Sequence, residues 1–200
     1  MSIKHPIISV TGSSGAGTST VKHTFQQIFR RESVKAVTLE GDAFHRYNRK
    51  EMKKELEKRH AEGDATFSHF SFDANLLPEL EDCFRNYSQE GTCRFRHYIH
   101  NSNEENLYGA KPGNFTKWKK FEEPSDLLFY EGLHGAVVNE EINLARYADL
   151  KIGVVPVINL EWIQKIHRDT DSRGYSTEAV TDTILRLSLI HISEPTRQAS

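Results

Sequence analysis

The sequence predicts an α/β fold with a mainly parallel sheet and flanking helices, and three observations lead to that class. Apolar runs alternate with helical patterns along the 200 residues, which is the usual order of elements around a parallel sheet. A glycine-rich loop separates the first apolar run from the first helical pattern. Hydrophobic residues make up 37% of the chain, and a chain of this length can form one domain with a three-layer core.

The first predicted strand, residues 6–11, leads into the loop GSSGAGTST. The helical pattern that follows places Val21, Phe25 and Phe29 on one face. A strand, a glycine loop and a helix in this order are typical of a phosphate-binding site, because backbone N–H groups and a helix N-terminus can surround a polyphosphate. The candidate nucleotide-binding residues are Gly12, Ser13, Ser14, Gly15, Ala16, Gly17, Thr18, Ser19 and Thr20.

One position of this loop departs from the usual pattern. Thr18 stands where such loops normally carry lysine, whereas Ser19 stands where a hydroxyl would bind the Mg²⁺ of a nucleotide. The competing interpretation is a Gly/Ser-rich connection between a strand and a helix. The periodicity of the flanking segments favours the phosphate site.

The rest of the chain continues the alternation of strands and helices. Strands are predicted at residues 34–39, 93–99, 127–130 and 150–155, the last two buried, and helices at residues 49–62, 76–87, 139–147 and 160–168. Residues 101–125 contain two glycines and two prolines, and they are predicted to form a long irregular surface excursion with a functional role.

Composition restricts the classes of partner and the compartment. The formal net charge of −2 gives no global indication of nucleic-acid affinity. No apolar run approaches the ~20 residues of a membrane span, and the start of the chain leaves no room for a secretory signal before the first strand. Cys83 and Cys93 match neither a redox pair nor a zinc motif, so we expect reduced thiols in a cytoplasmic protein.

Residues 187–200 (LSLIHISEPTRQAS) resemble a translated sequencing-adapter read rather than protein sequence. The helical pattern of Val180 and Ile184 continues into this segment, so periodicity does not separate the two. We therefore expect a single domain at residues 1–186 that is truncated at its carboxyl-terminal end, followed by a non-native tail at residues 187–200.

Three acidic residues follow predicted strands or helices, where ligands bind in open α/β sheets. Asp42 follows the second strand and is the candidate base toward a substrate hydroxyl. Glu131 ends the strand at residues 127–130 and is the candidate metal acid, with Asp169 after the helix at residues 160–168 as the third. The alternative for each is a solvated carboxylate at the end of an element.

Cationic side chains recur near these acids. His45, Arg49 and Lys53 are spaced by four and would share one helix face beside Asp42. Such a stripe suits a phosphorylated substrate, although a solvated helix face is the plainer interpretation. An equally regular stripe adjoins it, and spacing does not choose between the two; its members are Arg46, Lys50 and Lys54.

A second charged cluster contains Lys165, Arg168, Asp169 and Arg173. Cations on a mobile loop can close over a nucleotide and stabilise the charge of a transferring phosphoryl group, whereas the alternative is a charged helix C-terminus. A protein-kinase catalytic loop is excluded, because Gly174 stands where that motif needs Asn.

Alternate residues in and just after the strand predicted at residues 93–99 lie on one side of it. We interpret this side as a wall of the substrate site rather than as a surface on which RNA bases stack; its members are Arg94, Arg96, Tyr98 and His100.

Three motifs together closely resemble the phosphoribulokinase family of the bacterial type: EGDAFHR at residues 40–46, YEGLHG at residues 130–135 and IQKIHRD at residues 163–169. The resemblance runs from about residue 3 to Arg186, and threonine at position 18 of the loop is itself characteristic of that type. It implies an adenylate-kinase-like P-loop kinase that uses ATP and Mg²⁺ to convert ribulose 5-phosphate to ribulose 1,5-bisphosphate for carbon fixation.

The resemblance also implies roles for individual residues. Asp42 resembles the general base, and Asp169 with Glu131 resembles the acids on the Mg²⁺ side. The cations near ATP correspond to Lys165, Arg168 and Arg173. The sugar-phosphate site corresponds to His45, Arg49, Lys53, Tyr98 and His100, which favours the first cationic stripe over the second.

Regulation and alternatives complete these expectations. Ala16 stands where the plant-type enzyme has a regulatory cysteine, so disulfide control through the loop is excluded. The bacterial type implies a homo-oligomer activated by NADH and inhibited by AMP, with Arg31 as a candidate contact. The alternatives are a uridine kinase-like nucleoside kinase and a catalytically silent nucleotide-binding regulatory module. The 200-residue form is itself expected to be inactive.

Overall fold

A computed structural model describes residues 4–64, 66–121, 123–171 and 174–193 of the chain. The helices are α1 (Thr18–Arg31), α2 (Arg49–Ala61), α3 (Leu77–Glu90), α4 (Ser102–Tyr108), α5 (Ile158–Asp171) and α6 (Thr177–Ser193). The strands are β1 (Ile7–Gly12), β2 (Ala36–Glu40), β3 (Arg94–Phe95), β4 (Lys119–Lys120), β5 (Leu127–Gly132) and β6 (Leu150–Val154).

The central sheet has four parallel strands in the order β2-β5-β1-β6, which confirms the predicted α/β class. In the register of this sheet Ile7 pairs with Leu128 and Val10 with Glu131. The carboxyl ends of β1, β2 and β5 therefore lie at one edge, where the loops of the predicted site begin.

Each face of the sheet is covered by aromatic and aliphatic side chains. On one face Phe25 and Phe29 of α1 lie 5.2 and 5.7 Å from the ring of Phe129. On the other face Phe84 of α3 contacts Tyr130 at 5.3 Å between ring centroids, and both side chains are fully buried. Burial on both faces explains why β5 reads as a continuous apolar run.

Two predicted elements are wrong. Residues 139–147 form no α-helix but a turn with a short 3₁₀ segment, Leu144–Arg146. The Asn139 side chain accepts bonds from the N–H groups of Glu141 and Ile142, and this local alternative competes with a helix. The strand predicted at residues 93–99 is reduced to β3, which pairs antiparallel with β4 inside the segment expected to be irregular. That segment also contains α4.

The burial of the last strand was also predicted wrongly. Among the described residues β6 pairs with β1 alone, at one side of the sheet. Leu150 in this strand is 46% exposed to solvent. An apolar run of this length cannot by itself distinguish a central from an edge strand.

The prediction of reduced thiols is wrong as well, because Cys83 and Cys93 form a disulfide. Gly91 ends α3 in the left-handed conformation, with φ 73°, and the chain reverses there. The reversal brings the two Cα atoms to 4.9 Å, within the usual range for a disulfide.

α6 continues to Ser193, so its backbone runs past position 186 without a break. The remainder of the predicted tail, residues 194–200, lies outside the described residues. No helix within the described part of the chain is long and apolar enough to cross a membrane.

Candidate active site

The glycine loop turns from β1 into α1 as its sequence predicts. Gly17 caps α1 with φ 96°, and Gly15 has φ 100°. Residues other than glycine rarely adopt this left-handed backbone conformation. Gly12 is constrained by contact, because a Cβ there would meet the carbonyl oxygen of Val154 at 2.8 Å. The loop therefore leaves backbone N–H groups and the N-terminus of α1 at the carboxyl edge of the sheet, which suits an anion.

Thr18, which replaces the usual loop lysine, binds the candidate metal acid. Its Oγ1 lies 2.5 Å from Oε1 of Glu131. Lys22, one turn farther along α1, lies 3.7 Å from the other oxygen of Glu131 and 2.6 Å from Glu40. Burial opposes the charge of Lys22, but the two carboxylates outweigh it and raise its pKa. Sequence reasoning missed Lys22, although its spacing of four from Thr18 was the available signal.

Two cations of α5 reach the loop. Nη2 of Arg168 donates to Oγ of Ser14 at 2.9 Å, and Nζ of Lys165 donates to the same oxygen at 3.3 Å. The carboxylate of Asp169 lies 2.8 Å from Nε of Arg168 and 3.5 Å from Nζ of Lys165. Asp169 therefore holds the pair of cations over the loop, and both Lys165 and Asp169 are buried. Arg173 lies outside the described residues.

The residues around the loop fit a magnesium ion only in part. The contact between Thr18 and Glu131 brings the Glu131 carboxylate against the first turn of α1, where Ser19 is the next residue. A hydroxyl and a carboxylate are suitable oxygen ligands for Mg²⁺, which usually keeps several waters and binds phosphates. The carboxylate of Asp169 is engaged by two cations instead. Among the described residues there is no cluster of three or more His, Cys, Asp or Glu that could hold a metal.

Asp42 lies at the same edge of the sheet, in a 3₁₀ turn formed by Gly41–Phe44 directly after β2. One carboxylate oxygen is 3.3 Å from Nε2 of His45, and the other is 3.4 Å from Nε2 of His100. The two imidazoles come from positions 55 residues apart in sequence, and they hold the carboxylate from both sides. The structure thus brings together three of the predicted residues.

His45 has an unusual environment. Burial favours its neutral form, yet the hydrogen bond and charge of Asp42 outweigh burial and raise the pKa of His45. Asn75 contributes in the same direction, because its Oδ1 lies 2.8 Å from Nδ1 of His45. Asn75 is itself fixed by bonds from Nδ2 to the carbonyls of His69 and Ser71. It was missed at the sequence level, where it belongs to no motif.

The other members of the predicted sugar-phosphate site are arranged around Tyr98. Its ring lies 6.1 Å from that of His45 and 4.9 Å from that of His100, and Arg49 is a hydrogen-bond partner of its hydroxyl. Arg49 also donates from Nη2 to the carbonyl of His100 at 3.3 Å. Lys53 follows one turn later on α2 with an exposed side chain.

The predicted shared helix face is wrong for His45, because α2 begins only at Arg49, after a capping box formed by Asn48 and Glu51. Arg46, from the alternative stripe, binds the carbonyl oxygens of Asp73 and Asn75 instead.

Comparisons with known proteins agree with this geometry. The model of the phosphoribulokinase/uridine kinase family matches residues 7–190. Phosphoribulokinase 1 of Cereibacter sphaeroides is 71% identical over 186 residues, which cover 93% of this chain and 64% of that protein. Phosphoribulokinase of Nitrobacter vulgaris is 64% identical over 183 residues, 92% of this chain and 63% of that protein. The chain thus spans a little under two thirds of these relatives.

Solved structures give the same result. Phosphoribulokinase from Rhodobacter spheroides has a TM-score of 0.78 and 68% identity, over 92% of this chain and 62% of that one. A possible uridine kinase from Bacillus stearothermophilus has a TM-score of 0.55 at 13% identity, over 88% of this chain and 85% of that one, and so shares the fold alone. The P-loop kinase fold expected from the sequence is confirmed, and the chain belongs to the phosphoribulokinase/uridine kinase family.

Proposed function

We propose that this chain is the catalytic part of a cytoplasmic kinase that transfers the γ-phosphoryl group of ATP to ribulose 5-phosphate, as a step of carbon fixation. The observation that carries the proposal is the carboxylate of Asp42, held between His45 and His100 at the edge of the sheet where the phosphate loop ends. The relatives that are 71% and 64% identical bear the name phosphoribulokinase, which supports this substrate over a nucleoside.

In this mechanism Asp42 is the general base. It takes the proton of the attacking sugar hydroxyl while the oxygen of that hydroxyl forms a bond to the γ-phosphorus. The bond from that phosphorus to the bridging oxygen breaks, and ADP leaves with the electron pair. The contacts from His45 and His100 orient the carboxylate, and the exposed surface of its side chain, 44%, leaves it accessible to a substrate.

The phosphate loop and α5 bind the nucleotide. Backbone N–H groups of residues 12–20 face the phosphates, and Lys165 and Arg168 supply positive charge above Ser14, where charge on the transferring group develops. Arg173, which lies outside the described residues, is proposed as a third cation at the nucleotide. Ser19 and Glu131, with Asp169 as a further acid, would hold Mg²⁺, which when bound neutralises phosphate charge.

The sugar phosphate is proposed to lie against Tyr98, with its phosphate bound by Arg49 and Lys53. Arg49 already contacts the tyrosine hydroxyl and the carbonyl of His100, so its guanidinium is oriented toward the base. The exposed Lys53 can approach an anion from the same face of α2. An uncharged nucleoside would leave these two cations without a partner.

Domain limits and regulation belong to the same proposal. Residues 1–186 are proposed to form the kinase part and residues 187–200 a non-native tail, whereas the family model matches as far as residue 190. The whole protein is proposed to be a homo-oligomer that NADH activates and AMP inhibits, with no nucleic-acid or membrane partner.

The test is turnover by the extended chain, in which residues 1–186 are followed by the remaining sequence of the native gene. ATP and Mg²⁺ are supplied with ribulose 5-phosphate, with unphosphorylated ribulose or with uridine, and ADP release is measured. We expect turnover of ribulose 5-phosphate at least about 10²-fold faster than of either uncharged acceptor. Faster turnover of uridine would identify a nucleoside kinase, and no turnover of any acceptor by a folded protein would identify a silent nucleotide-binding module.

A further inference from the structure

Arg96 binds the turn that carries Asp42, and no motif of the site accounts for it. Its Nε donates to the carbonyl oxygen of Ala43 at 2.8 Å, and its Nη2 donates to that of His45 at 2.6 Å. These two carbonyls belong to the end of the 3₁₀ turn Gly41–Phe44 and to the residue that follows it. One guanidinium therefore connects the irregular segment after β3 to the chain on both sides of Phe44.

The guanidinium itself is held rigidly. It lies 3.6 Å from the ring centroid of Phe115 and 4.6 Å from that of Trp118. Burial lowers the pKa of Arg96 to about 10, so the side chain remains charged at neutral pH. A charged group that is removed from water and bonded to two carbonyls needs those bonds, since a partly buried cation without partners is costly.

We propose that Arg96 is a positioning residue for phosphoryl transfer: it fixes the turn that presents Asp42 to the sugar hydroxyl and sets the charge around His45. The proposal rests on the function proposed above. Arg96 donates to main-chain carbonyls of the turn, so it acts through the turn. The two bonds to carbonyls determine where the Asp42 carboxylate lies, and a displacement of about 1 Å at such a group costs about 10²-fold in rate.

The electrostatic part of the proposal concerns the groups that face His45. Asp42 lies on its own turn, Arg96 on the segment after β3, and the rings of His69 and Tyr98 lie 6.0 and 6.1 Å away. His134 faces it from the loop after β5. Asp42 raises the pKa of His45, and the charge of Arg96 lowers it. Removal of the Arg96 charge should therefore raise the pKa of His45 further, because the contact with Asp42 is local and stays with the turn.

The experiment compares three variants of the extended chain. Arg96→Met removes both bonds and the charge, whereas Arg96→Lys keeps the charge but not the planar fork. Arg85→Met is the control, because Arg85 lies on α3, its side chain is 43% exposed, and it pairs with Asp82 of the same helix. For each variant we measure kcat and KM with ribulose 5-phosphate and ATP. The titration of His45 is measured by NMR, with its resonance assigned from its loss in His45→Gln.

We expect Arg96→Met to lower kcat at least about tenfold with KM for ATP changed less than about twofold, and to move the His45 midpoint to higher pH. Arg96→Lys should leave the His45 midpoint near the wild-type value and lower kcat, and Arg85→Met should change neither quantity. An unchanged or lower His45 midpoint in Arg96→Met, or a kcat within about twofold of wild type, would overturn the proposal.

The two proposals fail in different ways. If the wild-type extended chain binds ATP but does not phosphorylate ribulose 5-phosphate, the proposed function is wrong, and the positioning role in that reaction falls with it. If wild type is active but Arg96→Met behaves like Arg85→Met, only the role of Arg96 is wrong. Should Arg96→Met fail to fold, Arg96→Lys decides the question, because wild-type kcat with a lysine at this position would overturn the need for two bonds.

Discussion

The substitution Asp42→Asn tests the base most directly. Asparagine keeps the volume of aspartate and one carbonyl oxygen, so His45 at 3.3 Å retains a hydrogen-bond acceptor and the turn keeps its shape. What is lost is the ability to accept a proton. General bases contribute about 10²–10⁴-fold to rate, which corresponds to about 2.7–5.5 kcal/mol of activation free energy.

The structure places the expected loss within this range. Both carboxylate oxygens of Asp42 face an imidazole, at 3.3 and 3.4 Å, so a neutral imidazole of His45 or His100 is available as a less well placed base. We therefore expect kcat to fall about 10²–10³-fold rather than by the upper limit. KM for ATP should change little, since the contacts of the phosphate loop with α5 run through Ser14 rather than through this turn.

The same variant has a second readout that needs no turnover. Asp42 raises the pKa of His45 against the effect of burial. Once the charge at position 42 is removed, burial dominates and the His45 midpoint should fall below that of wild type. The sign is therefore opposite to that expected for Arg96→Met, and the two NMR titrations check each other.

The assay is steady-state ADP release by the extended chain, with Asp82→Asn as the control because Asp82 is exposed on α3 and paired only with its neighbour Arg85. A kcat within a few-fold of wild type in Asp42→Asn, together with an unchanged His45 midpoint, would remove Asp42 from the mechanism. A large rise in KM for ATP with kcat preserved would assign it to the nucleotide instead.

Three further predictions address the remaining parts of the site. Arg49→Ala should raise KM for the sugar phosphate at least about tenfold, since a charge-assisted hydrogen bond is worth about 1.5–3 kcal/mol, and should spare KM for ATP; an equal rise with the control Lys50→Ala would contradict it. Thr18→Val should lower kcat about tenfold by removing the bond to Glu131, and Thr18→Ser should restore it; equal rates for both variants would argue against the bond. Residues 1–200 alone should show no measurable turnover and a broad thermal transition, because the described residues leave β6 unpaired on one side; kinase activity comparable to that of the extended chain would refute this.

Local parts of this fold were predictable because their physical causes are local. The glycine pattern of the loop, the apolar run at β5 and the helical pattern at α2 each act over a few residues, and each element lies where the sequence predicts it. Asp42 was predictable for the same reason, since an acid that follows a parallel strand lies at the ligand edge of the sheet. His45 reaches Asp42 from three residues away, but in a turn rather than on the predicted helix face.

The parts that sequence reasoning missed depend on contacts between distant segments. His100 was expected in the sugar-phosphate site, but its contact with Asp42 was not. It arises because the chain after β3 passes over the turn, held by bonds such as that from the N–H of Ile99 to the carbonyl of Asn114. Arg96 was visible only as one member of an alternating strand. Its partners are main-chain carbonyls, which every residue carries, so no pattern of side chains could identify them. The pairing of Cys83 with Cys93 likewise depends on the reversal at the end of α3.

The threonine at position 18 shows how charge is distributed in this site. A loop lysine would place a cation at the start of α1, but here the described cations near the loop come from other positions. Lys22 neutralises Glu40 and approaches Glu131, whereas Lys165 and Arg168 meet Ser14 from α5. Because both of these cations belong to α5, the positive charge over the loop depends on the position of that helix, and in the proposed mechanism this charge meets the phosphates. Movement of that helix would then control how well the loop binds a transferring phosphoryl group, as closing segments do in other phosphoryl-transfer enzymes.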